Sequence, residues 1–141
     1  GALNHRGTET QRADLNRMSG QVIGFCLEIH RELGPGLLES VYEEALAHEL
    51  QAASVPFERQ RNVPVSYKGV LLPCGFRIDY LIGGAIILEL KAVTELLPIH
   101  HAQVLTYLKL DHRPLGLLVN FNVPVLREGI RRVIAKDTCS L

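Results

Sequence analysis

At 141 residues, with 47% apolar and 21% charged side chains, the chain has the size and balance of one globular domain that can close its own core. A formal net charge of zero disfavours a protein that coats nucleic acid nonspecifically, because a surface gripping many phosphates carries a basic excess. No apolar run reaches membrane-span length and no apolar leader is visible. Cys26, Cys74 and Cys139 fit neither a zinc pattern nor a disulfide framework, so a reducing cytoplasm is the expected compartment.

Residues 1–12 are polar and aperiodic and are expected to form a disordered N-terminal segment. The domain proper is expected to span residues 13–136, followed by a short tail at 137–141. From Asp14, a plausible N-cap, the positions Leu15, Met18, Val22, Phe25, Ile29 and Leu33 recur at spacings of three and four, which predicts a helix. Gly34-Pro35-Gly36 ends it, with His30 on the flank of its buried face. A second helix is predicted over residues 37–53, with Leu38, Val41, Tyr42, Ala45, Leu46 and Leu50 as its apolar side. Glu39 lies in its first turn, where the helix dipole favours an acid, and Glu43 stands one turn on.

Strand patterns follow over 57–60, 63–67 and 70–72, with Lys68-Gly69 as a tight turn and Pro73-Cys74-Gly75 as a further break. Residues 75–92 then form an apolar hairpin around Gly83-Gly84 that carries Asp79, Glu89 and Lys91. Pro98 suits the first turn of a third helix, 99–110, where Gln103 and Tyr107 share a side. Leu115 to Phe121 reads as a strand buried on both faces, and the tail 126–134 reads as a last strand or, as the alternative, a short helix. The order predicts an α/β fold, a central mixed sheet flanked by helices.

The hairpin is the candidate site, since charges in so apolar a setting are costly unless they pair or bind metal. A two-residue turn at Gly83-Gly84 would set Asp79 against Leu88 and turn Glu89 away. A three-residue loop, Gly83 to Ala85, sets Asp79 against Glu89, with Lys91 on the same face. Opposed α-carbons are then about 5 Å apart, and both carboxylates can hold one ion at about 2.1 Å. Mg²⁺ or Mn²⁺ suits such oxygen ligands and polarises a phosphate oxygen; Glu39 and the Leu90 carbonyl are further donors. Lys91 would orient an attacking water or stabilise charge on the phosphorane. The competing reading of Glu89-Leu90-Lys91 is a solvated strand face or a structural ion pair.

Asp79, Glu89-Leu90-Lys91 and the helical Gln103-x-x-x-Tyr107 together resemble the PD-(D/E)xK nuclease superfamily, and the Gln-Tyr pair is similar to the motif of its RecB-like branch. Gly36-Leu-Leu-Glu39-Ser-Val-Tyr42 resembles the signature of the GxxExxY family, and ordered blocks over about residues 15–135 extend that likeness. The superfamily's leading Pro-Asp stands here as Ile78-Asp79. The resemblance implies a restriction-endonuclease-like core and a metal held by Asp79, Glu89 and the Leu90 carbonyl. It also implies help from Lys91 and Glu39, His30 as a further ligand, and Gln103 and Tyr107 facing the substrate phosphate or bracing the lysine.

The expected function is therefore a nuclease that hydrolyses phosphodiesters of DNA, or RNA, with a metal-activated water. The alternative is a catalytically silent nucleic-acid-binding or accessory module. Small size and neutral charge favour a homodimer or a protein partner, with Arg127, Arg131, Arg132 and Lys136 as the patch to watch. A hydrolase of free nucleotides ranks third, because Gly34-Pro35-Gly36 lacks the lysine and spacing of a phosphate-cradling loop.

Overall fold

A computed structural model describes residues 2–135; Lys136, the tail 137–141 and Cys139 lie outside them. Three α-helices, α1 (Ala2–Leu33), α2 (Glu39–Ala52) and α3 (Pro98–Asp111), surround five strands, β1 (Phe57–Tyr67), β2 (Val70–Ile82), β3 (Ile86–Lys91), β4 (Leu115–Asn120) and β5 (Ile130–Ile134). Spatial order follows chain order, and only β3 and β4 run parallel. That one parallel pair requires a crossover, which α3 supplies.

The sheet separates two cores. Val22, Cys26 and Ile29 of α1 and Tyr42, Leu46 and Leu50 of α2 pack on Tyr80, Ile82, Leu88, Leu90, Leu117 and Val119. On the opposite face Val104 and Leu108 of α3 pack on Ile78, Leu81, Ile87, Leu118 and Val133. β4 is buried at every position, as expected of a continuous apolar strand covered on both sides. The mixed sheet between helices is the expected restriction-endonuclease-like α/β architecture.

Several elements differ from expectation. α1 begins at Ala2, so Asp14 lies inside the helix, 3.2 Å from Arg17, instead of capping it. Core packing from Leu15 onward supports the helix, and once a helix is nucleated adding polar residues is inexpensive. Leu38 is 76% exposed and Val41 is also exposed, so the buried side of α2 is Tyr42, Leu46, Ala47 and Leu50. The three short strand patterns merge into two long ones, β1 and β2, joined at Lys68-Gly69. Pro64 causes only a shift of register before Ser66. Gly75 passes there so close to β1 that a β-carbon would meet the Val63 carbonyl oxygen. The last segment is a short 3₁₀ turn, Leu126–Gly129, and then the strand expected.

The break between α1 and α2 has a specific latch. Gly34 and Gly36 take positive φ angles of 70° and 96°, which favour glycine. The Tyr42 hydroxyl donates to the Gly34 carbonyl at 2.7 Å and accepts from the Leu37 amide at 3.1 Å. Its ring stacks on Phe121, with centroids 4.3 Å apart. Gly36 and Tyr42 thus set where α2 starts, and with it the position of Glu39 in the first turn. Tyr42→Phe is expected to keep the stack but strand both backbone groups, lowering stability by about 1–3 kcal/mol. Urea denaturation measures this; an unchanged midpoint would mean that the latch contributes nothing.

Candidate active site

The β2–β3 loop is the three-residue Gly83-Gly84-Ala85, since Ile82 pairs with Ile86, Leu81 with Ile87 and Tyr80 with Leu88. Gly83 and Gly84 both take positive φ, which permits the tight return. The next residues in this register are Asp79 and Glu89, as the odd loop requires. There the backbone ladder stops and the side chains take over. The Asp79 amide donates to Glu89 Oε1 and the Leu90 amide to Asp79 Oδ2, both at 2.9 Å. Each carboxylate is fixed by the other strand's backbone.

β2 is irregular at the same point. Gln60, opposite Asp79, has φ of 52° and drops out of the β1–β2 ladder. Ile78 joins the α3-side core whereas Tyr80 joins the other, so alternation breaks at Asp79. The strands therefore splay apart just where the acids sit.

Electrostatics define the rest of the site. Burial, and then the charge of Asp79, push the Glu89 carboxyl up to about 8. Asp79 is also raised, by burial first and then by Glu43, against the pull of the Leu90 amide and Lys91. Glu39 is raised by burial and then by Asp79, with Lys91 opposing. Four acids thus share one region and Lys91 acts on three of them. An excess of buried negative charge of this kind favours proton or cation uptake. Among the described residues no group of three or more His, Cys, Asp or Glu side chains is arranged to hold a metal by itself. Asp79 and Glu89 are the acidic pair, and a backbone oxygen and water would complete a coordination sphere. Mg²⁺ commonly binds this way, through one or two carboxylates.

Tyr107 stacks on Phe76 of β2 with centroids 4.4 Å apart. Its phenol is raised by burial and then by Glu89 and Asp79, so it belongs to the same region. Gln103 is exposed, with no hydrogen bond to any of these residues. His100 accepts the Leu97 amide at Nδ1, 2.9 Å away, and caps α3. His30 Nε2 lies 2.8 Å from the Val123 carbonyl oxygen, and its ring is 6.4 Å from that of Phe121. Of the basic patch, Arg131 donates to the Glu128 and Ile130 carbonyls and Arg132 to Ser19 and Asn16 of α1. These two arginines are engaged in holding β5.

Two contributors escaped the sequence reading. Glu43 is held at Oε1 by Gln60 Nε2 at 2.7 Å and by Arg59 at 3.2 Å, and its charge reaches Asp79. The signal was its spacing of one helical turn from Glu39. Asn120, almost fully buried, pairs with Lys91 across the parallel ladder. It accepts from the Val93 amide at 3.0 Å and donates to the Val93 carbonyl at 2.9 Å. This fixes the chain just beyond Lys91. A lone amide inside an apolar strand was the cue, because a buried amide requires partners.

A family model described as the PD-(D/E)XK nuclease superfamily matches residues 16–133. No functionally curated protein matches the chain. Among solved structures, the crystal structure of SSO0001 superposes with a TM-score of 0.54 at 19% identity, over 72% of this chain and 53% of that one. The likeness shows a shared fold, and this chain spans about half the length of SSO0001. Nucleases of the matched superfamily generally use divalent metal ions and act on nucleic acids. With a match over most of its length, the chain belongs to the PD-(D/E)XK nuclease superfamily.

Proposed function

We propose that the chain is a Mg²⁺- or Mn²⁺-dependent nuclease acting on phosphodiester bonds of DNA or RNA, of the GxxExxY family in the RecB-like branch. The observation that carries this reading is the splayed hairpin end. Two acids there are locked by reciprocal backbone bonds, held above their ordinary proton affinity, and accompanied by Lys91. Asp79, Glu89 and the Leu90 carbonyl form a hard-oxygen donor set suited to such an ion, with Glu39 as a further oxygen. The ion, when bound, polarises a phosphoryl oxygen and makes water more acidic.

In this reading Lys91 orients the attacking water and stabilises charge as it builds on the phosphoryl oxygens. Asn120 holds the backbone beyond Lys91. Tyr107, braced by Phe76, presents its hydroxyl to the substrate phosphate, with Gln103 one turn earlier on the same side. His30 holds the Val123 carbonyl through Nε2, which leaves Nδ1 as the nitrogen that could join the ligands. The narrower family placement is supported by the latch, which gives Gly36, Glu39 and Tyr42 distinct physical tasks.

The test is incubation of purified protein with single-stranded, duplex and branched DNA and with RNA, in Mn²⁺, Mg²⁺ or EDTA. Cleavage of at least one substrate with metal, and none in EDTA, is the expected result. Salt-sensitive binding of these substrates with no cleavage in either metal would sink the reading and favour the accessory-module alternative.

A further inference from the structure

β2 carries Asp79 near one end and a free ribbon at the other. The β2–β3 ladder stops at Tyr80 and Leu88, whereas β1 and β2 stay paired out to Tyr67 and Val70. No residue from 64 to 77 is fully buried. The ribbon therefore extends beyond the third strand. At its tip Tyr67, Val70 and Leu71 are 60%, 62% and 66% exposed. A hollow of about 340 Å³ opens beside the register shift, with Asn62, Pro64, Pro73 and Arg77 in its lining.

The charge along this ribbon is one-sided. Between Glu58 and Asp79 the chain has four bases, Arg59, Arg61, Lys68 and Arg77, and no acid. Arg59 pairs with Glu43 and Glu44, and Arg61 with Glu58 and Asp111. Arg77 has no ion-pair partner among the described residues, and Lys68 lies over the Tyr67 ring, 5.4 Å from its centroid. The outer ribbon is thus apolar and positive in a chain with zero net charge.

An exposed apolar strand tip is a liability unless something covers it. A second copy docked tip to tip would set Lys68 against its own equivalent, and facing like charges repel. A polyanion has the complementary charge. A two-stranded ribbon fits the major groove, about 12 Å wide, where Lys68 can meet phosphates or base acceptors and the exposed Tyr67 and Leu71 can contact thymine methyls.

We propose that the β1–β2 ribbon is a nucleic-acid grip, its tip entering a duplex groove while the same strand presents Asp79 to the bond being cut. This rests on the nuclease reading. From Val70 to Asp79 a strand rising about 3.3 Å per residue covers about 30 Å. At about 3.4 Å per base pair, that is roughly nine base pairs of duplex flanking the cut.

The test compares wild type with the triple variant Tyr67→Ser, Lys68→Glu, Leu71→Ser, all at exposed positions, on two labelled DNAs. One is a duplex of about twenty base pairs, the other a loop-closed stem of about six. Binding is measured in EDTA, cleavage in Mn²⁺, and the free proteins are sedimented. The variant is expected to keep its melting temperature, bind the long duplex about ten-fold or more weakly, and handle the short stem as wild type does. Equal affinity for the long duplex would overturn the grip. So would a dimer-to-monomer change in the variant, which would identify a second copy as the occupant. Wild type that binds the long duplex through the ribbon yet cuts nothing supports the grip and rejects the nuclease reading instead.

Discussion

Lys91→Ala is expected to cut the rate of metal-dependent cleavage by about 10²–10³-fold, the usual loss when one preorganised group that stabilises transition-state charge is removed. Lys91 ends β3 and opposes the raised proton affinity of Asp79, Glu89 and Glu39. On the proposed function it has two tasks: a cation at the reacting phosphate, and a counter-charge to buried acids. Truncation removes both while leaving the apolar cores intact, so the loss should fall on kcat, with a smaller drop in the urea midpoint because the buried acids lose their counter-charge. Asp79→Ala should reduce cleavage to background, because it removes a proposed metal ligand and the acceptor for the Leu90 amide. The measurement is single-turnover cleavage in Mn²⁺ by both variants. Activity that survives either substitution at wild-type level would belong to a contaminant or to a different site.

Glu89 makes a second prediction, about stability against pH. Its carboxyl titrates near 8 in the folded chain, raised by burial and then by Asp79, and near 4.3 in an unfolded chain. Between these values the folded state holds the extra proton, so without metal stability falls as pH rises from about 4.5 to about 8. Asp79 and Glu39 are shifted in the same direction and add to the slope. Glu89→Gln keeps an oxygen for the Asp79 amide but has no charge to strand. The variant should lose most of this slope and melt above wild type at pH 8 in EDTA.

Divalent metal should reverse the order. At a hundred times its dissociation constant a ligand adds about 2.7 kcal/mol, or roughly 5–11 °C at about 2–4 °C per kcal/mol. Only wild type should gain this. Thermal melts at pH 5 and pH 8, each with EDTA and with Mn²⁺, provide the check. Equal metal-induced shifts in the two proteins would remove Glu89 from the ligand set.

Much of the architecture was legible in the chain. Pro98 and Gly34-Pro35-Gly36 punctuate helices by rules local to the backbone. The unbroken apolar run of β4 announced burial on both faces. The register argument at Gly83 to Ala85 succeeded because strand periodicity leaves only two choices, and a site needs the odd one. The reach of α1 to Ala2 and the outward turn of Leu38 were not legible. Helix propagation and the choice of buried face depend on what packs against the helix rather than on its own residues.

The same division runs through the candidate site. Charge inside an apolar hairpin made Asp79, Glu89 and Lys91 the candidates from sequence alone, because desolvation makes such residues improbable without a task. The splay of the strands, the reciprocal backbone bonds, the reach of Glu43's charge and the clamp of Asn120 on Val93 depended on the tertiary structure. Each joins residues at least ten positions apart, and no local pattern encodes which distant partner a buried polar group will find. Local sequence determined where charge would be costly; packing decided which backbone amides and neighbouring charges would surround it.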